Sequence, residues 1–239
     1  MTPAHPRLAF VGPALGHHDG WVTTQGEVLA GLFTDDGFTV RTSSDQLSPL
    51  RRAGAHVRDL VRWRRDVDVV VVSVFSGRAF ALADEALTLA RTLGLRRVAW
   101  LHGGALPEFG PRHPRWVRRV LTGADAVVAP SAYLARWADT ILPGTQVVPN
   151  VLDLDGYDFV VRRPRRPRLL WMRTFQELYD PATAVRGLAA LRRRGVDARL
   201  TMAGQDKGLL EPTRTLVADL DLGAHVTFPG FVSGDAKAR

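Results

Sequence analysis

Residues 147–175, VVPNVLDLDGYDFVVRRPRRPRLLWMRTF, divide the chain into two parts that each alternate between strand-like and helix-like segments. The stretch opens on a short apolar strand, expected over 145–148, which Pro149-Asn150 turns out of a sheet. Arg162-Arg163-Pro164-Arg165-Arg166-Pro167-Arg168 is charged and broken by proline, so it neither buries itself nor continues a helix. Leu169 to Met172 then begins a new buried strand that stops at Arg173. In doubly wound sheets ligands bind off the carboxyl ends of the strands, so a cation at that point is placed to meet an anion. The expected organisation is a first domain over 1–160, an Arg/Pro linker over 161–168 and a second domain over 169–239, both facing the seam.

Working back from the seam, apolar runs predict strands at 8–11, 38–42, 67–75, 97–101 and 126–129, separated by helices at about 24–33, 48–65, 80–93, 115–121 and 131–139. The run Val67 to Phe75 is nearly continuous in valine, which implies burial on both faces and a central place in a parallel sheet covered by helices. Forward of the seam the pattern predicts helices at 181–193 and 210–220 and strands at 198–202 and 225–228. The fold class expected is therefore α/β, with one complete Rossmann-like doubly wound parallel-sheet domain and an incomplete second one. Three strands do not finish such a domain, so the second part reads as cut short.

The 239 residues contain no cysteine, which excludes disulfides, thiolate metal sites and cysteine nucleophiles. No apolar run approaches the length of a membrane span, and Met1 to Pro6 lacks a signal-peptide pattern, so a cytoplasmic protein is expected. The net charge of +8 comes almost wholly from arginine, since only Lys207 and Lys237 are lysines. With no nucleic-acid-binding motif present, that charge reads as compositional bias plus a local patch, and nucleic acid is not expected as a partner.

The loop Gly12-Pro13-Ala14-Leu15-Gly16-His17-His18-Asp19-Gly20 runs from the first strand into the first helix. It suits either a close approach to a ligand or a plain tight turn, and its spacing is not that of a dinucleotide fingerprint. The helix at 48–65 is expected to bury Leu50, Ala53, Val57, Leu60 and Val61, with Arg51, Arg58, Arg62 and Arg65 beside them. Together with Trp63 and with HPRWVRR at 113–119, that stripe either rests on anionic lipid or is an ordinary solvated face.

LHGG at 101–104, ADAVVAPS at 124–131, VVPNVLD at 147–153, LLWMRTF at 169–175, ARLTMAGQDKG at 198–208 and HVTFPGFVS at 225–233, in that order, resemble a family-4 glycosyltransferase of the GT-B fold. The resemblance implies a retaining, metal-independent transfer of a sugar from a UDP- or GDP-linked donor, held mainly by the second domain, to a polysaccharide or lipid-linked acceptor held mainly by the first. Arg173 matches the family's diphosphate-binding arginine, whose forked donors suit a leaving phosphate. His102 matches a histidine facing the donor sugar. Gly12 and Gly16 fall where the family's loop meets acceptor or phosphates, and Gly204 and Lys207 lie in a donor-side strand-end loop. Gly230, Phe231 and Val232 fall where the nucleotide base is contacted, with Phe231 equally suited to a core.

Two departures stand out. The family pattern R-x-x-x-x-K-G is replaced by Arg173-Thr174-Phe175-Gln176-Glu177-Leu178-Tyr179-Asp180-Pro181, leaving Lys207 as the second cation. An E-x7-E motif would fall beyond Arg239, and none of Glu27, Glu85, Glu108, Glu177 or Glu211 replaces it by position. The expectation is a truncated, weakly active or inactive glycosyltransferase of polysaccharide or glycolipid assembly, in contact with an anionic membrane. The alternatives are a non-catalytic nucleotide-sugar binding protein and a GT-B-like sugar-nucleotide epimerase.

Overall fold

The computed structural model describes residues 5–18, 21–152, 161 and 167–238. Linker residues 162–166, Asp153 of VVPNVLD and Asp19-Gly20 of the first loop lie outside the described residues. Two compact units divide between Leu152 and Asp153.

In the first unit the elements run β1 (Leu8–Val11), α1 (Gln25–Asp35), β2 (Val40–Ser43), α2 (Pro49–Trp63), β3 (Val69–Val74), α3 (Ala79–Thr92), β4 (Arg96–Leu101), α4 (Leu106–Phe109), α5 (Pro114–Thr122), β5 (Ala126–Ala129), α6 (Ala132–Asp139) and β6 (Gln146–Val147). The six strands are parallel in the order β2-β1-β3-β4-β5-β6, so the direction of winding reverses between β1 and β3. β3 is central, as its valines imply, but its two faces differ. Val70, Val72 and Val74 are fully buried against Leu60 and Trp63 of α2, Phe80 and Leu87 of α3 and Val117 and Leu121 of α5. Val69 and Val71 are only partly buried, on the side of Phe10, Ala30 and Phe33, where α1 packs. Helices α2, α3, α5 and α6 contribute to the core on one face, and α1 packs on the other.

The expected buried face of α2 is corrected. Leu50 is 86% exposed and Val57 44%, while Ala55, His56, Asp59, Leu60 and Trp63 turn inward. One polar hydrogen bond goes with this rotation: Ser43 Oγ donates to Asp59 at 2.7 Å, whereas the His56 ring, 3.5 Å from Glu85 on α3, makes no hydrogen bond among the described residues. A buried carboxylate needs a partner, so Asp59 outranks the apolar stripe when the two compete for the inner face. Trp63 therefore belongs to the core, with Arg41 stacked on its ring at 5.6 Å, and it is not a surface anchor. β6 is shorter than the expected 145–148, and α4 was not expected from the sequence.

In the second unit β7 (Arg168–Met172), α7 (Pro181–Arg193), β8 (Arg199–Ala203), α8 (Leu210–Asp219), β9 (Val226–Gly230) and α9 (Gly234–Ala238) follow in order. The sheet is parallel, β7-β8-β9. Phe175, Val185, Leu188, Leu200, Met202 and Val217 form its core.

Candidate functional site

At the carboxyl ends of the second unit's strands, the three loops lock together through their backbones. Arg173 N–H donates to the Ala203 carbonyl at 3.1 Å, Gly204 N–H to Gly230 at 2.9 Å and Phe175 N–H to Gln205 at 2.8 Å. The Phe175 carbonyl accepts in turn from Lys207 N–H at 3.1 Å. Gly204 has to be glycine: its φ is +156° and a Cβ there would lie 1.7 Å from the Arg173 carbonyl oxygen. The backbones that carry Arg173, Gly204, Lys207 and Gly230 are thus held in one rigid rim.

On that rim the Arg173 side chain is exposed, and its guanidinium stands over the Tyr179 ring at 5.2 Å. Stacking fixes its direction without neutralising it. Neither Arg173 nor Lys207 is ion-paired with a carboxylate among the described residues. Asp206 lies between them in sequence, but its Oδ1 accepts from Gly208 N–H at 2.7 Å and Leu210 N–H at 3.1 Å, so it caps α8. Those amides hold its carboxyl below the ordinary range. Two unneutralised cations beside an exposed strand-end loop can bind a diphosphate by charge-assisted hydrogen bonds. Phe231 is 36% exposed and Val232 half-buried, so Phe231 is a rim residue and not part of the core. Tyr179 is the residue whose part the sequence did not disclose; its only signal was an aromatic six positions after the arginine, ahead of the Asp180-Pro181 turn.

In the first unit His102 ends β4, donating its backbone N–H to Val74 at 2.8 Å. The ring is 8% exposed, stacked on Phe75 at 5.0 Å and tilted against Trp100 at 4.5 Å. Burial pushes its pKa down to about 4, so the imidazole is neutral at physiological pH. Its Nε2 is buried and has no hydrogen-bond partner among the described residues. A neutral imidazole can donate to or accept from a hydroxyl, and here the neighbouring groups must shift before one reaches Nε2.

Gly12 and Gly16 are required by close approach within the unit. A Cβ on Gly12 would lie 2.8 Å from Ser73 Cβ, and one on Gly16 2.6 Å from the Thr23 Cα. Their amides are engaged as well, Gly12 N–H with the Ser43 carbonyl at 2.7 Å and Gly16 N–H with Glu27 Oε1 at 3.0 Å. Glu27 Oε2 also accepts from Thr24 N–H at 2.7 Å, closing a capping box at the start of α1. A carboxylate therefore holds the helix terminus where a phosphate would otherwise bind, and the loop favours a neutral ligand over an anionic one. Beside it, where the winding reverses between β1 and β3, a small hollow of about 30 Å³ is lined by Gly12, Pro13, Arg52, His56, Ser73 and Phe75. Phe75 joins this hollow to His102 through their stacked rings.

Comparison with solved structures finds the same architecture. A lipopolysaccharide outer core galactosyltransferase, WaaB, superposes over 95% of this chain and 68% of its own with a TM-score of 0.60 and 15% identity. A glycosyltransferase from Rickettsia africae matches over 96% of this chain and 69% of its own, with a TM-score of 0.58 and 14% identity. A putative UDP-N-acetylglucosamine 2-epimerase from Listeria monocytogenes matches over 98% and 71%, with a TM-score of 0.62 and 12% identity. At such identities these likenesses establish the GT-B fold. Comparison with curated proteins finds no match. The sequence does match the profile of Glycosyltransferase Family 4 over residues 27–156, a span that contains β2 to β6, His102 and its stacked aromatics. With more than half its length inside that profile, the chain belongs to glycosyltransferase family 4, and its chemistry is glycosyl transfer.

Proposed function

We propose that the chain transfers a sugar, with retention, from a UDP- or GDP-linked donor to a polysaccharide or lipid-linked acceptor at the cytoplasmic side. The observation that carries the donor half is Arg173: a guanidinium aimed by Tyr179, without a carboxylate partner among the described residues, on a backbone interlocked with Gly204. The names of two structural neighbours, a galactosyltransferase and a UDP-N-acetylglucosamine epimerase, support a nucleotide sugar as the donor class. Retention rests on the family resemblance.

In this reading the bond between the sugar's anomeric carbon and the diphosphate oxygen breaks while the acceptor oxygen bonds to that carbon. The acceptor's proton leaves with the departing phosphate. Negative charge grows on the diphosphate as the bond stretches, and Arg173 and Lys207 stabilise it without having to reorganise. Gly230, Phe231 and Val232 edge the nucleotide. His102, neutral and with Nε2 unpartnered among the described residues, hydrogen-bonds a sugar hydroxyl once its neighbours shift, and does not act as a cation. The loop of Gly12 and Gly16, with Glu27 behind it, contacts the acceptor's neutral hydroxyls.

Titration calorimetry of the chain with UDP, UDP-hexoses and GDP-hexoses tests the donor half. Binding that Arg173→Ala abolishes supports the reading, and no binding of any nucleotide sugar overturns it. Proton NMR of the product's anomeric signal tests retention. The epimerase likeness favours a second reading, which predicts C2-epimerised UDP-N-acetylglucosamine in the absence of an acceptor; binding with neither product would mark a non-catalytic nucleotide-sugar binding protein.

A further inference from the structure

The rotation of α2 leaves on its outer side what the sequence had assigned to the core. Leu47, 51% exposed, precedes the helix; Leu50, Val57 and Val61 follow at 86%, 44% and 39%. With the exposed Gly54 between them, these positions are spaced 3, 4, 3 and 4 residues apart, which places them on one narrow stripe along the helix. No element of the first unit covers that stripe, because α2 meets α3 and the sheet through its opposite face. Arg51, Arg58 and Arg62 are exposed alongside it. From Pro49 to Arg65 stand six arginines and one carboxylate, Asp59, which is 8% exposed, accepts from Ser43 and pairs with Arg58 at 2.8 Å.

We infer that the outer face of α2 docks on an anionic lipid bilayer, Leu50, Val57 and Val61 entering the interface and Arg51 and Arg62 lying on acidic head groups. An apolar stripe flanked by arginine, with no acidic residue on the same face, is the pattern of an interfacial helix. Each arginine near an anionic surface adds attraction, and its aliphatic stem extends the apolar contact. A second copy of the chain fits the same face worse: two-fold pairing of the stripe would set the arginine rows against each other. α5 lies in the same helix layer, joined to α3 by Trp116 Nε1 donating to Asp84 at 2.8 Å, and it exposes Arg115 and Arg118 on the same side of the sheet. The buried Trp63 and half-buried Trp116 take no part.

The inference stands on this helix and not on the transferase reading, and its test needs no turnover. The chain is sedimented with vesicles of phosphatidylcholine alone and of phosphatidylcholine with an equal share of phosphatidylglycerol, in 50 mM and 500 mM salt. Expected are partition onto the anionic vesicles only, loss of most binding at the higher salt, and a fall of at least tenfold for Val57→Glu/Val61→Glu and for Arg51→Glu/Arg62→Glu. Arg51→Lys/Arg62→Lys should bind nearly as the parent does. All these positions are exposed, and circular dichroism melts confirm that each variant is folded. Lack of partition at low salt, or partition that both glutamate variants retain, overturns the proposal. So does light scattering that finds a dimer which Val57→Glu/Val61→Glu dissociates, since a second copy would then be the occupant.

Discussion

Arginines stand at both ends of the strands in this protein, and the two ends treat them differently. At the amino ends, Arg7 before β1 and Arg97 in β4 each grip an aspartate that precedes the neighbouring strand. Arg7 Nε and Nη2 donate to Asp68 at 3.1 and 2.8 Å, and Arg97 Nε and Nη2 to Asp125 at 3.1 and 2.6 Å. Both carboxyls are held below the ordinary range, Asp68 at about 2, chiefly through these side-chain hydrogen bonds. At the carboxyl end of β7, Arg173 has a ring beneath it and no carboxylate partner among the described residues. A charge satisfied inside the protein splices strands; one left unsatisfied on a rigid rim is available to a ligand.

The sharpest way to break this comparison is Arg173→Ala. We expect nucleotide-sugar kcat/KM to fall by about 100-fold or more with the melting temperature unchanged; a fall of less than threefold in a steady-state assay would equate the two ends. Gly204→Ala tests the rim beneath it. Its Cβ would collide with the Arg173 carbonyl, so we expect the second unit to lose on the order of 3 kcal/mol in urea unfolding and donor binding to weaken with it.

His102 sharpens the contrast between burial and pairing. Its folded pKa of about 4 lies below the ordinary histidine value of 6.5, so the unfolded chain takes up the proton first. Stability is complete above pH 6.5 and declines as pH falls toward 4, by about 1.4 kcal/mol per unit at most. His102→Gln should remove that slope in denaturant midpoints measured from pH 7 to 4. The smallest effect belongs to the amino end. Asp125→Asn is expected to cost about 1 kcal/mol or less, since Asp125 is 47% exposed, and to leave donor binding unchanged by calorimetry.

The linear order of residues determined the alternation of strand and helix, the central place of the valine run and the cation that ends β7, because each depends on neighbours a few positions apart. The start of α7 is legible in Asp180-Pro181, where the Asp180 carboxylate accepts from Thr183 Oγ1 at 2.6 Å. Periodicity also turned Leu50, Val57 and Val61 of α2 inward, and there it misled. The packed fold decided otherwise, because Asp59 meets Ser43 of β2, and a buried carboxylate left alone costs more than an exposed valine. The Tyr179 platform, the burial that keeps His102 neutral and the collision that demands glycine at 204 were likewise settled in three dimensions, where distance through space replaces distance along the chain.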